Sequence, residues 1–199
     1  MIAWINVAIL VMASLLFLYY YVLSVSPATR EKVLGPVAYA RCGRDRIIAI
    51  VFETITVVNY VIYYFYPLEN PLPDKFPWAW WVSAALAAVI GIPTLALMLI
   101  GMRDAGEEAI RPKKEHSMYG GIYDKIRHPQ AVGEVFAWLV IAFLLHSPFL
   151  AVFSLIYFPV FLLMCFAEEQ DLLWRYGDTY AEYCKRTGAF FPKKHVSQE

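Results

Sequence analysis

Apolar residues fall into five long runs separated by short polar segments, a pattern that predicts an all-α, polytopic membrane protein. The runs cover 2–25, 47–66, 78–102, 129–146 and 148–167. Three contain no charged residue, while the second and fourth carry one each, Glu53 and Glu134. Most approach the roughly 20 residues that an α-helix needs to cross a hydrocarbon core of about 30 Å. The fourth is short and draws on residues 127–130 for length. Tyr19, Tyr20 and Tyr21 close the first run as an interfacial belt. That run lacks a basic leader and exceeds the 7–15 apolar residues of a signal-peptide core, so it reads as a membrane span.

Basic residues choose the orientation. They cluster after the first run (Arg30, Lys32, Arg41, Arg44, Arg46), after the third (Arg103, Arg111, Lys113, Lys114, Lys125, Arg127) and after the fifth (Arg175, Lys185, Arg186, Lys193, Lys194). Residues 69–75 hold one lysine, and the turn at His146-Ser147 holds none. Five transmembrane helices put all three basic clusters on one side, which the positive-inside rule makes cytosolic. The expectation is therefore a single multi-pass membrane domain over 1–199, with the N-terminus outside and a cytosolic helical tail at the C-terminus. Segments 103–130 and 168–192 would form its cytosolic, ligand-binding part.

Composition narrows the chemistry. The chain is 60% hydrophobic, against about 45–50% in a typical soluble domain. Seventeen basic residues balance seventeen acidic ones, so nothing points to nucleic acid. Cys42, Cys165 and Cys184 are scattered without the spacing of a metal site, and no metal is expected.

Polar groups concentrate in two places. Residues 120–129 place Tyr123, Lys125, Arg127 and His128 just before Pro129. A proline there suits the first position of a helix, whose free backbone N–H groups would face an anionic ligand group. In the tail, Glu168 and Glu169 leave the fifth run, Gly177 is placed to end its helix, and a short second helix is expected from about Asp178. Arg186 reads as a headgroup contact or as a clamp on a ligand carboxylate. Glu134, one to two turns past His128, reads equally as part of the same cavity or as an inter-helix contact. Glu53 reads as a structural hydrogen-bonding group. Pro93 and Pro159 read as packing adjustments or kinks, His146 as part of a turn, and His116 and His195 as solvated.

The order Gly-Ile-Tyr-x-x-x-Arg-His-Pro, apolar hairpin, Glu-Glu, then Tyr-Gly-Asp-x-Tyr-x-x-Tyr-x-x-Arg resembles the isoprenylcysteine carboxyl methyltransferases. Phospholipid N-methyltransferases are similar at their cofactor-binding end. The resemblance covers about residues 120–192 and implies S-adenosylmethionine at the cytosolic mouth, with a lipophilic or lipidated acceptor arriving among the membrane lipids. It implies that Tyr123, Arg127, His128 and Pro129 line the cofactor, with Tyr180 on its aromatic wall. Glu168 or Glu169 would contact its ribose or amino group, and Arg186 would orient the acceptor. For an amine acceptor, which must lose a proton, Glu134 is the candidate base. Residues 130–131 are Gln-Ala where the family has an aromatic, and Asp104, Glu107 and Glu108 make the preceding segment acidic. An amine-bearing lipid suits such surroundings at least as well as a prenylcysteine carboxylate. Two other readings compete: an NADPH-dependent membrane reductase resembling sterol reductases, and a non-catalytic scaffold or transporter subunit.

Overall fold

The computed structural model describes residues 1–114 and 120–193, and within them the chain is helical. Residues 115–119 of the expected ligand-binding segment, with His116, and the end of the tail, with His195, lie outside the described residues. Eight α-helices follow in order: α1 (Ile2–Ser24), α2 (Pro27–Leu34), α3 (Val37–Phe65), α4 (Trp80–Ala105), α5 (Pro129–Leu144), α6 (Pro148–Ser154), α7 (Tyr157–Tyr176) and α8 (Asp178–Arg186). Two short 3-10 turns, Gly106–Ala109 and Gly121–Asp124, flank the segment between α4 and α5.

Four stretches are long and apolar enough to cross a membrane: α1, α3, α4 with its 3-10 extension, and α6 with α7. The expected fourth span differs. Helix α5 has 16 residues and ends at Leu144, falling short of a full crossing by length. The second span also departs from expectation, since α3 starts at Val37, ten residues before the apolar run. Two of the charged residues in its first turns, Asp45 and Arg46, have close partners. Arg30 Nη1 lies 2.6 Å from the buried Asp45 Oδ2, and Arg46 Nη1 donates to the carbonyls of Glu108 at 2.8 Å and Ala109 at 2.9 Å. The fifth span is broken at Leu155 and Ile156, between α6 and α7. Pro159 explains the break: it has no N–H for the carbonyl four residues earlier, and its ring crowds that carbonyl. Helix α4 runs through Pro93 without interruption.

Helix α1 packs along α3, α4 packs along α5, and α7 bridges the two pairs by touching α1 and α5. A buried aromatic column sits where they meet. Trp138 stacks on Tyr157 with centroids 4.3 Å apart, and Tyr60 leans on Trp138 at 5.4 Å. The α4–α5 contact depends on Gly133. A Cβ there would lie 2.3 Å from Met98 Cβ and 2.7 Å from the Thr94 carbonyl oxygen, which is helix backbone and cannot yield. Gly133→Ala is therefore expected to destabilise by about 1–3 kcal/mol, read as a lower thermal midpoint in detergent.

The helical bundle has two ends, each held by its own contacts. At one end His146 makes a tight turn at φ 55°, fixed by a 2.7 Å hydrogen bond between its Nδ1 and Ser83 Oγ. At the other end the three basic segments meet, tied by Arg46 to Glu108 and by Arg175 to Glu108. Asp171 of α7 joins them by accepting from Ala28 N and Thr29 N, in the first turn of α2.

Candidate functional site

The polar end of the bundle is built around the start of α5. Pro129 occupies the first helical position, as its fixed φ favours, and leaves the N–H groups of the first turn pointing out of the helix. The preceding residues are held in extended form by the tail. Arg127 N donates to Gly188 O at 2.9 Å, His128 N donates to Ala189 O at 3.0 Å, and Ile126 pairs with Gly188 as an isolated parallel bridge. Gly188 is needed there, since a Cβ would fall 1.8 Å from the Phe191 carbonyl oxygen. Tyr183 of α8 adds a second tie, its hydroxyl donating to Tyr123 O at 2.6 Å.

This pairing brings Arg127 and His128 against the two glutamates of α7. Arg127 Nε and His128 Nε2 each lie 2.8 Å from Glu169 Oε1, and His128 Nδ1 lies 3.3 Å from Glu168 Oε2. Arg127 Nη1 also donates to Thr187 O at 2.6 Å. A carboxylate at each ring nitrogen asks His128 to donate twice, which only the imidazolium does. Burial of His128 opposes the charge, but hydrogen bonds to Cys165, Glu168 and Glu169 outweigh it and raise its pKa well above the ordinary value. Burial raises Tyr123 and Tyr180, which stay neutral phenols.

A partly open cavity of about 90 Å³ lies beside this cluster. Of the residues singled out in the sequence, Tyr123, Arg127, His128, Pro129, Glu168 and Tyr180 line it. Glu169, adjacent to Glu168 in sequence, lies behind the wall and braces Arg127 and His128. Glu134 and Arg186 are also outside the lining. Glu134 is half-buried on α5, within electrostatic reach of Glu53, Arg46 and Glu168. Arg186 is exposed in the last turn of α8. Trp174 of α7 is outside the cavity lining, with Lys32 Nζ 2.9 Å above its ring.

The structure adds residues that sequence reasoning missed. Tyr21 of α1 and Arg46 of α3 reach the cavity, as do Glu108, Asp171 and Arg175. Arg175 Nη1 pairs with Glu108 Oε1 at 2.6 Å with both side chains over 90% buried. A tyrosine at the end of an apolar run looks like an interfacial residue, so no local signal marked Tyr21. Glu108 and Arg175 are 67 positions apart, and only the fold pairs them.

Apolar helices of membrane-crossing length that close on a charged, aromatic-walled cavity fit an integral membrane protein with a polar ligand site at one end. Residues 82–179 match the phospholipid methyltransferase family, the family of membrane methyltransferases that the loop and tail motifs resemble. The match supports a methyltransferase and runs from α4 into the first turn of α8. It contains Tyr123, Arg127, His128, Glu168 and Glu169, while Tyr180, Arg186 and all of α1 to α3 lie outside it. Comparison with curated proteins and with solved structures gave no match.

Proposed function

We propose that the protein is an integral-membrane, S-adenosylmethionine-dependent methyltransferase acting on a lipophilic acceptor, with its cofactor site facing the cytosol. The observation that carries this reading is the meeting of Arg127 and His128 with Glu168 and Glu169, beside the open N-terminus of α5. The chemistry of the donor set fits the cofactor. The first-turn N–H groups of α5 suit its carboxylate, and Glu168, which lines the cavity, suits its ammonium or ribose hydroxyls. Tyr21, Tyr123, Tyr176 and Tyr180 offer ring faces to a sulfonium.

The cofactor supplies an electrophilic methyl group. The chain's task is then alignment, which alone can supply about 7–11 kcal/mol of a barrier. Glu169 locks Arg127 and His128 in place, and the Gly188 strap fixes the backbone that carries them. Between the two acceptor classes, the carboxylates Glu53 and Glu134 near the cavity favour an amine-bearing lipophile over a prenylcysteine carboxylate. Arg186 is left without a part in this reading because it is exposed and outside the cavity lining.

Titration of purified protein with S-adenosylhomocysteine, NADPH or buffer during thermal unfolding tests the assignment. Ligand at about 100 times its dissociation constant should add roughly 2.7 kcal/mol. Stabilisation by NADPH alone would establish a reductase instead, and indifference to both would favour a non-catalytic protein. Arg186→Ala should keep the full S-adenosylhomocysteine response. A lost response would restore Arg186 to the site.

A further inference from the structure

The two glutamates in the apolar helices, Glu53 and Glu134, lie outside the cavity lining. Helices α1 and α3 form one packed pair, α4 and α5 the other, so the gap between α3 and α5 is a seam between pairs. Glu53 and Glu134 sit on its two sides, within electrostatic reach of each other. At about 1.5 Å rise per residue, Glu53 lies about 10 Å along α3 from Arg46 and Glu134 about 8 Å along α5 from Pro129. Both therefore occupy one level, below the cavity mouth and within the apolar depth of the bundle.

Neither carboxylate has a hydrogen-bond partner among the described residues, and each is half-buried rather than sealed. Charged groups in apolar helices ordinarily face a partner or an aqueous or ligand-bearing cavity. The charged and titratable neighbours of Glu134 are Glu53 of α3, Arg46 of α3 and Glu168 of α7. Tyr21 of α1 senses Glu134, Arg46 and Glu168, and Tyr157 of α7 senses Glu53. Arg46 is already held by the carbonyls of Glu108 and Ala109. The pair thus has no committed cation among the described residues.

The deep end of the seam supplies an independent observation. Tyr60 lies two turns beyond Glu53 on the same face of α3, and Trp138 lies one turn beyond Glu134 on α5. Their rings meet 5.4 Å apart. Tyr60 is 0% and Trp138 2% exposed, yet Tyr60 Oη and Trp138 Nε1 have no hydrogen-bond partner among the described residues. Buried hydroxyl and indole groups usually find partners. Two that do not, at the floor of a seam with two unpaired carboxylates above, mark a place for a polar guest that the fold does not itself fill.

We propose that this seam is the acceptor compartment: Glu53 and Glu134 hold the cationic amine of a lipid that enters between α3 and α5, and Glu134 takes its proton. The inference rests on the methyltransferase reading. In the step it describes, the ammonium gives one N–H proton to the Glu134 carboxylate. The freed lone pair forms the N–CH3 bond as the CH3–S bond breaks, and that bond's electron pair stays on sulfur. The product is a methylated ammonium, which takes over the positive charge that the sulfonium loses, beside a protonated Glu134 that returns its proton to solvent through the cavity. Glu53 remains charged and positions the amine.

The test is lipid binding, measured apart from turnover. Wild type, Glu53→Gln and Glu134→Gln, purified in detergent, would be titrated with a fluorescent phospholipid bearing a primary-amine headgroup and with the matched hydroxyl-headgroup lipid. The expected result is preference for the amine lipid in wild type and a loss of at least about tenfold, or 1.4 kcal/mol, in each variant. The hydroxyl lipid should bind alike to all three. Stabilisation by S-adenosylhomocysteine should persist in both variants, which shows that they are folded. Equal binding of the two lipids by wild type, or undiminished amine preference in Glu134→Gln, would overturn the proposal. Loss of the S-adenosylhomocysteine response in wild type would sink the cofactor reading instead, and the lipid titration would still stand as its own result.

Discussion

Glu168→Ala and Glu169→Ala, neighbouring and chemically alike, should fail in different ways. Glu169 accepts from both Arg127 Nε and His128 Nε2 at 2.8 Å, and those side chains are only 12% and 3% exposed. Removing it leaves the mostly buried Arg127 without its carboxylate and His128 with only the longer contact to Glu168. Breaking such a pair costs more than the pair contributes, because the stranded charge keeps its desolvation penalty. With Glu169 itself partly exposed, a loss of about 2–3 kcal/mol is expected. Cofactor binding would fall with it, since Arg127 and His128 carry the loop onto which the start of α5 is built. Glu168 makes one longer contact, 3.3 Å to His128 Nδ1, and lines the cavity at 37% side-chain exposure. Glu168→Ala should cost under about 1 kcal/mol, yet remove most of the S-adenosylhomocysteine response. Thermal midpoints with and without that ligand separate the two outcomes. Equal midpoints in the two apo variants would show that the brace role assigned to Glu169 is wrong.

That contrast marks the limit of what the chain alone discloses. The helical class and the segregation of basic clusters were legible because burial in an apolar medium leaves long uncharged runs. The start of α5 at Pro129 and the end of α7 at Gly177 were legible because each rests on local backbone chemistry, a fixed φ in one case and a φ of 56° in the other. Convergence of Arg127-His128 with Glu168-Glu169 followed from family resemblance rather than periodicity, and the coordinates place those pairs in contact.

Long-range pairings were not legible. Nothing in an arginine at the head of an apolar run says that it will donate to two carbonyls some sixty residues later, as Arg46 does. That pairing ties the charged part of α3, which begins at Val37, to the segment after α4. The seam was equally hidden. Glu53 read alone suggests a structural hydrogen bond, but it has no such partner among the described residues, and its significance comes from the glutamate across the gap. The break at Leu155 was written in Pro159, but a proline in a membrane helix also permits a simple kink. In the folded chain Phe153, just before the break, packs edge-on against Tyr60.

Stability should fall as pH rises above neutrality, and His128 should be the cause. In the folded chain its pKa stands well above the ordinary value of about 6.5, because Cys165, Glu168 and Glu169 together outweigh the burial that opposes its charge. Below about 6.5 the folded and unfolded chains both carry the proton, and the stabilisation is fully present. Above it the unfolded chain releases the proton while the folded chain retains it. Stability then declines by up to about 1.4 kcal/mol per pH unit until the folded imidazolium titrates and the contribution is gone. The loss is structural as well as electrostatic: a neutral His128 can donate to one carboxylate only, so either Glu168 or Glu169 faces a ring lone pair. Thermal midpoints from about pH 6 to about pH 9, spanning the ordinary histidine value, should slope downward in the wild type. In His128→Gln, which keeps one donor but cannot titrate, the slope should flatten and the starting midpoint should be lower. Parallel slopes in the two proteins would mean that some other group carries the pH dependence, and that His128 is not held as an imidazolium between the two carboxylates.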